Sequence, residues 1–103
     1  MSEAMTLIPV QRRYLKQLAH HLKALLQMGK EGPSGGFLTQ LQEQIEIHEL
    51  IKVRILNNCE FKKPEIEAAI GSVGITLVQK VGHVYTVFRQ REENSQLSLP
   101  QPK

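Results

Sequence analysis

The sequence predicts an α+β domain of the two-layer α/β type, three helices and a four-stranded mixed sheet in the order α-β-α-β-α-β-β. Three observations lead there. Apolar residues recur at helical spacing in three segments, and β-rich runs of five to seven residues lie between and after those segments. The last two runs are separated only by Gly82-His83, the gap of a tight hairpin. Strands joined through a crossover helix tend to pair parallel and a two-residue turn forces antiparallel pairing, so the sheet is mixed. The helices are expected to cover one side of it, leaving part of the other side open.

The first helix is predicted over Val10 to Lys23, with Pro9 in its opening turn, Thr6 upstream as a cap, and Leu15, Leu18, Ala19 and Leu22 as its inward stripe. Ala24 to Met28 is a short apolar run read as the first strand. Pro33-Ser34-Gly35-Gly36 then signals a helix start, with Phe37, Leu38, Leu41, Ile45 and Ile47 as the apolar positions. Leu50 to Leu56 alternates strictly as a second strand, with Ile51, Val53 and Ile55 on one side and Lys52 and Arg54 on the other. Pro64 opens a third helix whose inward residues are Ile66, Ala69, Ile70 and Val73, with Gly71 and Gly74 at its end. Ile75 to Val81 and Val84 to Phe88 form the closing hairpin. Residues 1–7 are expected to be flexible, 8–91 to form one domain, and 92–103, polar and aperiodic, to be a disordered tail.

A chain of 103 residues with 41% hydrophobic and 22% charged residues suits one soluble globular domain. No apolar run approaches the ~20 residues that span a bilayer, and no secretory signal is evident, so the expected location is cytoplasmic, away from membranes. The single cysteine, Cys59, fits a reducing compartment and lacks a nucleophile motif. His20 and His21 are adjacent, so on a helix they point about 100° apart and cannot share a metal ion. No paired carboxylates stand out, and no metal or cofactor motif is present; an enzyme is not expected. Glu43, Glu46, Glu65 and Glu67 read as solvated outer positions.

Charge is distributed unevenly. The net charge is +3, with a pI near 9.2. Up to Lys30 there are five bases, Arg12, Arg13, Lys16, Lys23 and Lys30, against Glu3 alone, whereas residues 31–70 hold seven glutamates and four bases. Arg12, Arg13, Lys16, His20 and Lys23 fall within about a third of the first helix's circumference, a basic face beside its apolar stripe. Immediately after the first strand comes Gly29-Lys30-Glu31-Gly32. Two glycines let backbone approach a phosphate and permit the positive φ angles that align successive N–H donors, as in the GxxG loop by which KH domains clamp nucleotides. A helix N-terminus follows, adding unpaired amides and the positive end of its dipole. In isolation the same pattern is an ordinary turn, and the same cations an ordinary solvated face.

Gln11-Arg12-Arg13-Tyr14-Leu15-Lys16, Leu18-Ala19-His20-His21-Leu22-Lys23, Gln27-Met28-Gly29-Lys30-Glu31-Gly32, His48-Glu49-Leu50-Ile51-Lys52-Val53 and Leu77-Val78-Gln79-Lys80-Val81-Gly82-His83-Val84 resemble, in this order, the CRM domain, named for chloroplast RNA splicing and ribosome maturation. The stand-alone bacterial members are YhbY-like proteins. The resemblance, from about Ile8 to Arg89, implies an RNA-binding module with a KH-like GxxG loop that associates with precursors of the large ribosomal subunit. It places Gly29, Lys30 and Gly32 on the loop, and Arg12, Arg13, His20, Lys23 and Lys52 on recurrent basic or polar positions. Pro33-Ser34-Gly35-Gly36 departs from the apolar residue usual after the loop, and His83 stands where Lys or Arg is common.

The expectation is therefore a non-enzymatic protein that binds ribosomal RNA through Gly29, Lys30, Gly32, Arg12, Arg13, Lys16, His20, Lys23, Lys52 and Arg54, as an assembly factor of the large subunit. Lys52 and Arg54 either contact RNA or decorate an exposed sheet. With five aromatic residues and no evident stacking pair, recognition is expected to rest on shape and phosphates, with Tyr85 read as a core or sheet-packing residue. The alternative is a module that joins ribosomal proteins on the particle through its exposed sheet without touching RNA.

Overall fold

Alternation along the central strands decides the architecture. In the computed structural model, which describes residues 6–91, 95, 99 and 100, the elements are α1 (Pro9–Ala19), β1 (Ala24–Met28), α2 (Gly35–His48), β2 (Leu50–Ile55), α3 (Lys63–Ser72), β3 (Thr76–Val81) and β4 (Val84–Phe88). The sheet order is β1-β2-β4-β3. β1 and β2 run parallel, while β4 is antiparallel to both β2 and β3, which gives the expected four-stranded mixed sheet.

Ile51 and Val53 of β2 point to one face, where they join Tyr85 and Val87 of β4, Phe37, Leu41 and Ile45 of α2, and Ile66 and Ile70 of α3. Leu50 points the other way, into a second core with Val78, Phe88 and Leu15 and Ala19 of α1. The helices thus do not share one side: α2 and α3 cover one face, and α1 lies across part of the other. The reason is the placement of β2 and β4, each of which carries apolar residues on both faces at one end and so needs cover on both. Each fully buried Leu, Ile or Phe is worth ~1.5–3 kcal/mol, so the second core is a substantial anchor for α1.

α1 is shorter than the periodicity suggests. It stops at Ala19, the amides of His20 and Leu22 close tight turns onto Gln17 and Ala19, and the chain reverses into β1. Only Leu15 and Ala19, one turn apart, face the sheet, so Leu18 and Leu22 stay 38% and 39% exposed. Thr6 is not its cap; Ile8 is, and its amide donates to the Gln11 side chain at 3.2 Å. α2 begins as expected, with Ser34 Oγ accepting from the Phe37 amide at 3.2 Å, but Ile47 faces outward. Gly71 lies within α3, and Gly74, with φ at 78°, follows it.

At both ends, described residues outside 8–91 make contacts with the domain. Residues 1–5 lie outside the described residues, but Leu7 is buried in the α1 core, so the domain includes it. Of the expected disordered tail, 92–94, 96–98 and 101–103 lie outside the described residues, whereas Ser95, Leu99 and Pro100 are held. Leu99 is buried in the α1 core, and the Gln11 side chain donates to the Pro100 carbonyl at 3.2 Å. Glu49 holds Arg91 and Ser95. It is fully buried, adopts φ 64° as the cap of α2, and its carboxylate accepts from the Arg91 amide at 2.9 Å and from Ser95 Oγ at 2.6 Å. A polar stretch without periodicity gave no sign of this, because one buried carboxylate supplies the partners that an apolar pattern otherwise would.

Candidate nucleic-acid interface

Because α1 covers only the end of its sheet face near Leu50, Val78 and Phe88, the remainder of that face stays open. Lys52 and Arg54 project there, two residues apart and so about 7 Å along β2. Gln27 of β1 is the register partner of Arg54. These side chains, with Leu22, Lys23, Ala24 and Val84, line one open groove between the sheet and the end of α1. A neighbouring depression is lined by Lys16, Gln17, His20, His21 and Gln79. One rung of the sheet joins the two, since Thr86 pairs with Lys52 on one side and with Gln79 on the other.

Neither depression has a carboxylate in its lining. Three acids are paired elsewhere: Glu67 with Lys80 at 2.9 Å, Glu46 with Arg89 at 3.5 Å, Glu49 with Arg91. Cations gathered on one face without counter-charges raise the local potential for a polyanion. The structure therefore brings Lys16, His20, Lys23, Lys52 and Arg54 to one surface. Arg12 is diverted: its guanidinium donates to the Val78 carbonyl and, at 3.0 Å, to that of Leu77, which clips α1 to β3. Arg13 is exposed but lies about 160° around α1 from Leu15, on the side turned away from the sheet.

The glycine bend differs from its expected form. Only Gly32 has a positive φ, at 59°, and its amide is spent within the turn, donating to the Gly29 carbonyl at 2.9 Å. Gly32 is also buried: a Cβ there would stand 2.3 Å from the Phe61 ring. Gly29 is not left-handed and has ordinary room for a Cβ, with its nearest neighbour, the Asn58 side chain, at 3.5 Å. Lys30 and Glu31 form the exposed tip. Gly35 and Gly36, both exposed, occupy the first turn of α2, where amides have no intrahelical acceptor. The amides presented to solvent are thus those of the helix start rather than a row donated by both loop glycines.

The bend also stands apart from the α1 cations. Lys23 precedes β1 and Gly29 follows it, so the strand separates them by about 20 Å, and Lys52 and Arg54 bridge the interval. Sequence periodicity points to neither Gln27, Gln79 nor Phe61. Alternation along β1 would have put Gln27 opposite Leu26 and Met28, but joining it to Arg54 takes the register. His20 and His21 lie just past the helix with ring centroids 5.3 Å apart, edge to face, and the described residues contain no group of three or more His, Cys, Asp or Glu placed to hold a metal. No helix among the described residues is long and apolar enough to cross a membrane. Tyr85 is fully buried, and burial, reinforced by Glu67 at 3.5 Å from its hydroxyl, pushes its pKa up to about 12.

Fold and surface together define a small α+β domain with one cationic sheet face and a glycine bend at its margin. The chain belongs to the CRS1/YhbY (CRM) domain family, whose model matches residues 7–89. It is 38% identical over 91 residues to YqeI of Bacillus subtilis, named a probable RNA-binding protein, covering 87% of this chain and 95% of that one. A Haemophilus influenzae protein named an RNA-binding protein is 34% identical over 96 residues, covering 92% and 96%. The solution structure of SAV1595 from Staphylococcus aureus superposes with a TM-score of 0.75 at 33% identity, covering 92% of this chain and all of that one. Both named relatives are described by RNA binding and not by a reaction.

Proposed function

We propose that this protein binds RNA on the open sheet face beside α1, and that its target is ribosomal RNA in cytoplasmic precursors of the large subunit, whose assembly it assists. The observation that carries the reading is the groove in which Lys23, Lys52 and Arg54 converge without a carboxylate, continuous through Thr86 and Gln79 with Lys16 and His20. Lysine and arginine at this spacing neutralise successive phosphates and release counterions, which supplies affinity without reading sequence. The exposed Lys30 and the amides of Gly35 and Gly36 fix the strand as it leaves the groove. The RNA-binding names of the relatives support the ligand class, and the family resemblance supports the ribosomal target. The cations on the free face favour RNA over a purely protein partner there.

The test is affinity for ribosomal RNA fragments across a salt series, comparing wild type with the Lys52→Glu/Arg54→Glu pair and with Gly29→Asp/Lys30→Glu. Each lost phosphate contact is expected to flatten the slope of log affinity against log salt by about 0.7–0.9. Unchanged binding by both folded variants rejects the site. Recovery of the wild-type protein in complexes with ribosomal proteins, insensitive to salt and to ribonuclease, rejects the RNA reading.

A further inference from the structure

Phe61 is a large apolar side chain left 41% exposed, and it lies against the bend: the space a Gly32 Cβ would fill holds its ring. Beside it is a half-enclosed recess of about 200 Å³, its apolar wall including Leu56, Cys59, Phe61 and Ile66, with Asn57, Lys63 and His83 contributing polar groups. The recess lies outside the groove on the α1 face and is floored by the first core, to which Ile66 belongs and against which Ile55 and Cys59 pack. Its volume is below the ~300–1,000 Å³ of clefts that enclose drug-sized ligands, so it suits a single ring system.

Its position gives the ring system a source. Leu56 and Asn58 pack against Gly29 on one side, and Ile55 and Leu56 continue directly from Arg54, so the recess follows the groove around the end of the sheet. A strand whose phosphates lie along Lys52 and Arg54 and pass Gly29 to Gly32 arrives at it. We propose that the recess receives one unpaired nucleobase of that strand, stacked on Phe61, with the Asn57 amide offering a donor and an acceptor to the base edge and the Lys63 ammonium meeting an adjacent phosphate. This rests on the RNA reading above and adds to it a preference for single-stranded or bulged RNA. The conformational freedom of Gly32 then serves to seat an aromatic platform between the bend and the recess.

The chain has no tryptophan, so Phe61→Trp introduces a single reporter. Its emission is expected to be quenched by a single-stranded RNA oligonucleotide and unaffected by an equally charged abasic strand or a fully paired duplex. Phe61→Ala is expected to weaken single-strand binding roughly 5- to 160-fold, the range for loss of one stacked base, while leaving the salt slope intact. Phe61→Leu, which keeps apolar bulk against Gly32, is expected to lose nearly as much as Phe61→Ala, because stacking needs a ring face. Wild-type affinity in Phe61→Leu, or equal affinity of the wild type for base-bearing and abasic strands, overturns the base pocket while RNA binding stands. Absence of any RNA binding by the wild type overturns both.

Discussion

Gly32→Ala is the substitution whose cost can be worked most directly from the structure. At φ 59° an alanine pays ~1–2 kcal/mol for left-handed backbone, partly offset by the ~0.4–1 kcal/mol that replacing glycine removes from unfolded-chain entropy. The new methyl must also displace Phe61, whose ring carbons lie 2.3–2.7 Å from the Cβ position. With the ring 41% exposed it can swing outward, at the expense of about half of a Phe side chain's burial, roughly 1–1.5 kcal/mol. Together these give about 1–3 kcal/mol, or a fall of roughly 5–20 °C in Tm for a domain of this size. Gly29→Ala is the control, since the backbone there is not left-handed and the nearest atom is 3.5 Å away; it is expected to stay within about 0.5 kcal/mol of wild type. Urea and thermal unfolding followed by circular dichroism measure both. Adding Phe61→Ala to Gly32→Ala removes the clash but not the strain, so the double variant is expected to be less destabilised than the sum of the singles. If Gly32→Ala melts with Gly29→Ala, the bend is not held by Gly32 and the account of it fails.

Arg12→Ala is expected to lower stability by about 1.5–3 kcal/mol through loss of its charged hydrogen bonds to Leu77 and Val78, and to leave the salt slope of RNA binding unchanged; a flattened slope would mean that Arg12 reaches phosphate. Glu49→Ala strips a buried carboxylate from Arg91 and Ser95, so we expect a loss of about 3–5 kcal/mol, with exchange of the Arg91 and Leu99 amides accelerating more than that of β2. Tyr85 makes the fold sensitive to alkali. Its pKa is raised in the folded state from 10.0 to about 12, so the protonated form is favoured there, and stability is complete below pH 10 and declines as pH rises toward 12. Tyr85→Phe is expected to remove that decline, and an unaltered profile in the variant would assign it to another group.

The order of elements, the mixed pairing and the two faces of β2 were legible in the sequence because each depends on neighbours a few positions apart: Ile51, Val53 and Ile55 against Lys52 and Arg54, or Gly82-His83 between two strands. The cationic residues were legible as a set, but not as a surface. Local periodicity cannot say that Arg12 bonds to β3, that α1 ends at Ala19, or that Arg13 turns away, since these follow from where α1 rests on the sheet. Nor can it see Phe61 filling the space over Gly32, 29 positions earlier, or Glu49 holding Ser95. What the sequence by itself determined was which stretches become helix or strand and which side of each is apolar, because those are one-dimensional patterns of propensity and period. Which helix covers which face, and hence which cations share a groove, was decided by packing and strand register, which pair residues that the chain keeps far apart.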